Sequence, residues 1–317
     1  MASQHRPWEV VVVGGAYTDY VARGPRLPGK GEDVRGDIFH ELPGGKGFNQ
    51  AVAAARLGAR VAFVGCIGSD ARGDALAAAL AQEGVDTGHV LRTDEVQTGA
   101  ALIHVDERGD SQVLVATGAN RCLTAQDVAA AAPVLTATKT VLVQLEVPLG
   151  AVEAAVLLAA DAGARVVLDP APPRVLADEL LSLVDVLKPD ATEAQALTGV
   201  AVRDRASAHE AAAVLLNRGV RVVAVQAGAE GNLLVWRQET CFLPALDVER
   251  VDTTGAGDAF AAALAVGLAE GRSLQEAGQC ANAAAALATT VLGAYPSMPR
   301  REDVAALLAR SRPSACA

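Results

Sequence analysis

Short apolar runs rich in valine and leucine alternate along the chain with longer, alanine-rich stretches whose apolar residues recur at helical spacing. The short runs predict strands at 9–13, 60–66, 140–145, 165–168, 184–187 and 221–226. The stretches between them predict helices at 46–57, 73–83, 149–162, 193–198 and 206–218. Nearly continuous apolar strands that alternate with helices are typical of a parallel sheet covered on both faces, so we predict a three-layer α/β/α fold.

Two parts of the chain depart from this alternation. After residue 252 the pattern is mostly helical, with helices predicted at 256–270, 274–290 and 301–310. Segments 16–42 and 97–117 show alternating apolar and polar positions, which predict antiparallel strands outside the main sheet. These strands form either a lid beside a ligand crevice or rigid edge hairpins. We therefore predict one domain over 1–317, with the two lid segments inserted in it.

Composition and charge exclude several classes of protein. The chain has 317 residues, of which 51% are hydrophobic, but no apolar stretch approaches the ~20 residues that span a membrane. The formal net charge is −10 and no long basic block is present, which argues against a nucleic-acid or membrane partner. The N-terminus lacks a signal peptide's apolar region, and the five cysteines form no Cys-x-x-Cys pair. We expect a cytoplasmic protein.

The strongest chemical signal is the segment 252–258, Asp-Thr-Thr-Gly-Ala-Gly-Asp, which opens the predicted helix 256–270. The first N–H groups of a helix have no intrahelical partner, so a glycine-rich helix start can bind an anion. Asp258 beside such a site could take a proton from an attacking hydroxyl. Alternatively, Asp258 only favours the start of the helix.

A second glycine-rich turn, Pro-Gly-Gly-Lys-Gly-Phe-Asn-Gln at 43–50, precedes the helix 46–57. Its backbone donors and the Asn49 amide suit the binding of hydroxyl groups. The same pattern is also common in a tight connection without function.

Two further segments follow predicted strands. In Lys-Pro-Asp-Ala-Thr-Glu at 188–193, Asp190 and Glu193 could face the crevice and act on a hydrated Mg²⁺, and they could also form a helix-capping pair, since the two roles are compatible. Gln-Ala-Gly-Ala-Glu-Gly at 226–231 either cradles nucleotide phosphates through its backbone N–H groups or forms a hairpin turn.

Taken in order, these segments resemble the ribokinase-like branch of the PfkB carbohydrate-kinase family. The segments at 44–49 and 252–258 are similar to that family's two signatures. Gly-Ala-Asn at 118–120, Gln-Leu-Glu-Val-Pro at 144–148, Asp-Pro-Ala-Pro at 169–172 and Gly-Ala-Tyr-Pro-Ser-Met-Pro at 293–299 continue the likeness over almost the whole chain.

The resemblance implies a ribokinase-like fold, with a mostly parallel sheet and a small β-sheet lid that can pair in a homodimer. It implies ATP-dependent phosphorylation of the terminal hydroxyl of a sugar, ribose first, to give ribose 5-phosphate, with ATP, Mg²⁺ and K⁺ as cofactors. The implied catalytic residues are the base Asp258 and an anion hole of Gly255, Ala256 and Gly257.

Binding roles follow from the same resemblance. The sugar site would contain Tyr17, Asp19, Gly44, Gly45, Lys46, Asn49, Glu146 and Asp258. The nucleotide site would contain Asp190, Gln226, Gly228, Glu230, Gly231, Gly257 and Asn282. Glu193 would position Mg²⁺, and the K⁺ ligands would be Asp252, Thr254, Ala288, Val291, Gly293 and Ser297.

The chain departs from the family pattern at three positions: Asp190 replaces the usual Asn, Phe48 a small residue, and Tyr17 the Asn of some ribokinases. Two aromatic residues near the sugar site leave open a kinase for a nucleoside or a sugar acid. A non-catalytic sugar- or nucleotide-binding regulator is the alternative of another class, because a fold does not determine function.

Overall fold

The computed structural model describes residues 7–237 and 239–311. Residues 1–6, where the sequence predicts no signal peptide, lie outside the described residues. The strands are β1 (Trp8–Val13), β2 (Tyr17–Arg23), β3 (Ile38–Gly44), β4 (Val61–Gly68), β5 (Asp86–Thr93), β6 (Gly99–Val105), β7 (Ser111–Ala116), β8 (Thr138–Gln144), β9 (Arg165–Asp169), β10 (Val186–Leu187), β11 (Val222–Gln226), β12 (Gly231–Trp236) and β13 (Glu239–Pro244). The helices are α1 (Lys46–Arg56), α2 (Ala71–Gln82), α3 (Ala125–Ala130), α4 (Ala132–Thr136), α5 (Leu149–Asp161), α6 (Asp178–Leu181), α7 (Ala191–Thr198), α8 (Arg205–Asn217), α9 (Ala256–Ala269), α10 (Leu274–Ala288), α11 (Ala294–Ser297) and α12 (Arg301–Arg310).

In the described part of the chain the larger sheet has the strand order β13–β12–β11–β10–β9–β8–β1–β4–β5. All pairs from β11 to β5 are parallel, and β12 and β13 add an antiparallel edge. Helices cover both faces. Val10 and Val12 of β1 pack in one core cluster with α1, α9 and α10, whereas Val11 and Val13 pack in a second cluster with α5 and α8. Successive strand residues point to opposite faces, so the predicted three-layer α/β/α fold is confirmed.

The smaller sheet has the strand order β3–β2–β6–β7, and its strands lie within segments 16–42 and 97–117 or within two residues of them. The pairs β2–β3 and β6–β7 are antiparallel, but β2 and β6 are parallel. The prediction of antiparallel strands is therefore wrong for the central pair. Strands β2 and β6 follow β1 and β5, which run in the same direction in the main sheet, so both leave its carboxyl edge with the same orientation.

Some elements of the main sheet were not predicted. Strand β5 has no apolar run, and β12 and β13 form an edge hairpin after the predicted strand 221–226. The predicted strand 184–187 is reduced to Val186–Leu187, and α7 begins two residues before the predicted 193.

Candidate active site

The loops after β1 and β8 meet the first turns of α1 and α9 at the carboxyl edge of the main sheet. The strand order reverses between β1 and β8, and ligands of open α/β sheets bind at such switch points. Asp258 lies here, 5% exposed, in the first turn of α9. Its Oδ2 accepts a hydrogen bond from Asn49 Nδ2 at 3.1 Å, and its Oδ1 accepts one from Gln50 Nε2 at 2.9 Å. Both oxygens of Asp258 are thus directed at α1, and Asp258 also lines the cleft described below.

Glycines allow α1 to begin directly against the backbone that follows β1. Gly45, the N-cap of α1, has a φ of 94°, and a Cβ there would lie 2.9 Å from the carbonyl oxygen of Gly15. A Cβ on Gly47 would lie 2.7 Å from both Gly14 C and Gly15 N. Side chains at these positions would displace the first turn of α1, and with it the two donors to Asp258.

Six residues predicted for the sugar site lie around this turn. The Lys46 backbone N–H donates to Glu146 Oε2 at 2.8 Å. The Asp19 carboxylate packs on the Cα of Gly44, where a Cβ would lie 2.0 Å from Asp19 Oδ2. Tyr17 shares a face of β2 with Asp19, and its ring lies against Gly45. The structure therefore brings Tyr17, Asp19 and Glu146 to the start of α1.

Asn49 carries an unused acceptor at this position. The side chain is 4% exposed, and while Nδ2 donates to Asp258, Oδ1 has no hydrogen-bond partner among the described residues. An unpaired buried oxygen costs about 1–3 kcal/mol. A ligand hydroxyl that donates to Asn49 Oδ1 would remove this cost.

Behind Asp258 lies a buried network that was not predicted. Gln50 Nε2 also donates to Asp169 Oδ2 at 2.8 Å, and Lys188 Nζ donates to Asp169 Oδ1 at 3.2 Å. Gln144 Nε2 donates to Gln50 Oε1. Carboxylates only accept, so the NH₂ group of Gln50 must point at both of them. The sequence could have indicated this network, because Gln144 and Asp169 are polar residues at the ends of buried strands.

Burial dominates the electrostatics of the acidic groups. Burial raises the pKa of Asp258, with Asp169 adding to the shift, while Lys46 and the bonds from Gln50 and Asn49 oppose it. Burial, together with the charge of Asp258, raises the pKa of Glu146 to about 8 and that of Asp19 to about 7. The same effects raise the pKa of the Tyr17 phenol, through burial first and then Glu146 and Asp19.

Two lysines balance these carboxylates. Burial acts to lower the pKa of Lys46, but Asp258, Asp169 and Glu146 outweigh it and the net pKa is raised. Burial likewise acts against the charged form of Lys188, and the neighbouring Asp169 and Glu193 reverse the effect and raise its pKa. Both ammonium groups are therefore charged at neutral pH.

A cleft of about 460 Å³ opens next to Asp258 and the N-terminus of α9. Gly255, Ala256 and Gly257 line it, as do Lys46 and Asp258. Of the residues predicted to hold a nucleotide, those that line the cleft are Asp190, Gln226, Gly228, Gly231, Gly257 and Asn282. The side chain of Glu230 is not among the lining residues.

Segment 226–231 is both a hairpin turn, with a 3-10 turn at Gly228–Glu230, and part of the cleft wall. Lys188, Asn232 and Arg250 line it without having been predicted.

Asp190 and Glu193 form the capping box of α7. Asp190 Oδ1 accepts from the Glu193 N–H at 2.7 Å, and Glu193 Oε2 accepts from the Asp190 N–H at 2.8 Å. Both residues also line the cleft. Burial first, and then Asp169, raises the pKa of Glu193 to about 7. Within residues 7–237 and 239–311 no three His, Cys, Asp or Glu side chains form a metal site, and Mg²⁺ is usually held by one or two carboxylates, waters and substrate phosphates.

Segments 252–254 and 293–297 meet beside the α9 N-terminus. Asp252 Oδ1 accepts from the Thr254 N–H at 2.9 Å and from its hydroxyl at 2.7 Å, and Asp252 Oδ2 accepts from the Gly293 N–H at 2.8 Å. The Ser297 hydroxyl donates to the Ala294 carbonyl at 2.8 Å. Of the remaining predicted K⁺ ligands, Ala288 is buried at the end of α10 and Val291 is 42% exposed.

Phe48 does not face the crevice. Its side chain is fully buried in the core cluster with α9 and α10, where its ring meets that of Tyr295 edge to face at 5.5 Å. Phe48 is therefore not available to contact a ligand in the crevice. The helical spacing turns Phe48 away from its neighbour Asn49, which faces Asp258.

Comparisons with known proteins agree with this architecture. The model of the pfkB family carbohydrate kinases matches residues 8–301. A ribokinase of Haemophilus influenzae is 40% identical over 294 residues, covering 93% of this chain and 96% of its own, and a ribokinase of Mus musculus is 37% identical over 310 residues, covering 94% and 96%. The solved structure of Arabidopsis thaliana ribokinase complexed with ribose and ATP matches with a TM-score of 0.86 at 34% identity, covering 95% of this chain and 98% of that one.

The chain has a mostly parallel sheet between two layers of helices and a glycine-rich helix start, and solved kinases match it over almost its whole length. These features define a carbohydrate kinase of the ribokinase-like fold. The chain belongs to the pfkB family of carbohydrate kinases. None of the helices in the described ranges is long and apolar enough to span a membrane.

Proposed function

We propose that this protein transfers the γ-phosphoryl group of ATP to the terminal hydroxyl of ribose, giving ribose 5-phosphate and ADP in the cytoplasm. The observation that carries the proposal is the position of Asp258. It lies between the hydroxyl-binding groups at the start of α1 and the cleft that the glycine-rich turns line. The similarity to ribokinases over more than nine tenths of the chain supports ribose as the sugar.

In the proposed reaction the ribose hydroxyl gives its proton to Asp258 as its oxygen attacks the γ-phosphorus. The bond between that phosphorus and the bridging oxygen of ADP breaks, and ADP leaves with the electron pair. The N–H groups of Gly255, Ala256 and Gly257 would face the phosphoryl oxygens, with the Ala256 N–H leaving its 3.3 Å contact to the Thr253 carbonyl, and the dipole of α9 favours the negative charge of those oxygens. Asn49 and Glu146 hold the sugar hydroxyls, with Asp19 and Lys46 completing the site.

The chain's own groups suit the two cations. Mg²⁺ would shield the negative charge of the ATP phosphates, with Glu193 and the waters it orders as the protein's contribution. The Asp252 carboxylate accepts from the N–H groups of Thr254 and Gly293 and so joins segment 293–297 to the loop before α9. We propose that K⁺ binds at this junction, where it would orient the loop that precedes α9.

The test is ADP release measured with pentoses, hexoses, sugar acids and nucleosides, each with and without K⁺. We expect the highest kcat/KM with ribose, and a higher rate with K⁺ than with Na⁺. A nucleoside or sugar acid as the best substrate would overturn the choice of ribose. Binding of ATP without turnover of any acceptor would identify a non-catalytic regulator.

We further propose that the chain acts as one domain, with the smaller sheet as its lid and as the contact of a homodimer. Leu102 and Leu114 lie opposite each other on β6 and β7, 45% and 69% exposed, and Phe39 on β3 is 65% exposed. Exposed apolar side chains on one small sheet suit a contact with a second copy of the chain.

Leu114→Asp would place a charge on this exposed apolar surface and should lower the sedimentation coefficient to that of a monomer. Val175→Asp changes an 82% exposed valine outside the small sheet, so it is the matched control and should leave the dimer intact. A wild-type protein that sediments as a monomer would contradict the proposal.

A further inference from the structure

Lys188 places a buried positive charge next to the anion hole. It directly follows β10, and its backbone N–H donates to the Leu168 carbonyl at 2.9 Å, which anchors it to β9. Its side chain is 11% exposed and lines the cleft. A Cβ placed on Gly257 would lie 3.0 Å from Lys188 Nζ. The ammonium group therefore lies against the backbone that we propose as the anion hole.

Asp169 holds this ammonium group in place. Asp169 is fully buried, and its two oxygens have different partners: Oδ1 accepts from Lys188 Nζ at 3.2 Å and Oδ2 from Gln50 Nε2 at 2.8 Å. The carboxylate is thus fixed from two sides. An ammonium group has three donors, and Lys188 uses one on Asp169, so it can donate to a ligand in the cleft.

We propose that Lys188 is a catalytic residue that donates to the oxygens of the transferred phosphoryl group, and that Asp169 is the positioning residue that aims it. The proposal rests on the proposed kinase function and adds a residue to it. In the transition state negative charge is spread over the three phosphoryl oxygens, and a fixed donor in a water-poor site stabilises that charge without reorganisation. Gln50 donates to both Asp169 and the base Asp258. The Asp169 carboxylate therefore helps to orient both the base and the Lys188 ammonium group.

The competing explanation is a structural ion pair, in which Lys188 only neutralises Asp169. A buried ion pair can often be replaced by neutral groups at little cost, whereas removal of one partner leaves an uncompensated charge. The two explanations therefore differ in the double variant. Asp169→Asn keeps an oxygen that can accept from Gln50 Nε2. If the pair only balances charge, Lys188→Met combined with Asp169→Asn therefore recovers activity; if Lys188 contacts the phosphoryl group, it does not.

The experiment measures kcat, and the affinity ratio between a non-hydrolysable ATP analogue and ADP, for Lys188→Met, Asp169→Asn, the double variant and Lys188→Arg. We expect Lys188→Met to lower kcat by about 10²–10³-fold and to lower the affinity ratio by on the order of tenfold, because the lost donor faces the terminal phosphate. The double variant should remain as slow as Lys188→Met. Lys188→Arg, which keeps the charge, should retain more activity than Lys188→Met.

Lys139→Met is the matched control, since Lys139 forms an ion pair with Glu9 at 3.2 Å outside the cleft; its kcat and affinity ratio should equal those of the wild type. Recovery of kcat in the double variant to within about fivefold of the wild type would overturn the proposal, as would an unchanged affinity ratio in Lys188→Met. If Lys188→Met does not fold, the double variant and Lys188→Arg decide, because neither leaves a buried charge unpaired. Failure of this proposal can be told apart from failure of the proposed kinase function. If the wild type turns over no sugar, the affinity ratio between the ATP analogue and ADP can still be measured by binding and still tests the role of Lys188.

Discussion

Asp258→Asn should lower kcat by on the order of 10²–10⁴-fold while the dissociation constant for the sugar changes by less than about tenfold. The amide cannot accept the proton of the attacking hydroxyl. It can keep the local geometry, because the Asn49 amide can turn its unpaired Oδ1 towards the new NH₂ group. Initial-rate kinetics give kcat, and titration calorimetry gives sugar binding separately.

The pH dependence supplies a second readout of the same residue. The pKa of Asp258 is raised above its ordinary value, first by burial, so more of the carboxylate is protonated at a given acid pH than for an exposed aspartate. Since only the ionised form can act as a base, the wild-type kcat/KM should fall as the pH drops through this raised pKa. The residual activity of Asp258→Asn should lack that acid limb.

Asp303→Asn is the matched control for the view that an acidic residue only supports the start of its helix. Asp303 is the third residue of α12, as Asp258 is of α9. Both substitutions weaken the interaction with a helix dipole by a similar amount, about 0.3–1 kcal/mol. The control should keep wild-type turnover. Equal kinetics in the two variants, with Asp258→Asn near the wild-type rate, would refute the assignment of the base.

Gly47→Ala should reduce kcat/KM by on the order of 10²-fold and destabilise the fold by about 1–3 kcal/mol. The new Cβ would lie 2.7 Å from backbone atoms of Gly14 and Gly15. Backbone cannot rotate away as a side-chain tip can, so the first turn of α1 must shift. That shift would move Asn49 and Gln50 off Asp258. Chemical denaturation measures the loss of stability, and the rate with ribose measures the loss of alignment.

Gly150→Ala gives the control for this change. Gly150 is the second residue of α5, as Gly47 is of α1, but a Cβ there meets nothing within 4 Å. Alanine is the better helix former, so this variant should be unchanged or up to about 1 kcal/mol more stable, with normal kinetics. Wild-type kcat/KM in Gly47→Ala would show that contact between α1 and the β1 loop does not align the site.

Much of the local architecture was predictable because it depends on short-range rules. Apolar runs between helical patterns predicted the parallel sheet, and the Asp190–Glu193 spacing predicted a capping box that the structure confirms. The glycine turns at 44–47 and 255–257 were placed correctly at helix starts. Strand β13 was missed because it lies at the sheet edge and alternates buried and partly exposed residues, which gives a weak signal, whereas β12 is mostly buried and its apolar run was overlooked.

The sequence by itself determined that Asp258 lies in the first turn of a helix after a glycine-rich turn, because backbone freedom and helix-end chemistry are local properties. Only the tertiary structure decided which side chains contact it. Gln50 and Asp258 are 208 positions apart, and Gln50 and Asp169 are 119 apart. Their meeting depends on strand order and on the parallel direction of β8, β1 and β9. The same holds for Phe48, which the helix turns into the core, and for Lys188, which β10 delivers to the anion hole. Local patterns do not encode strand order, and it is strand order that brought these residues together.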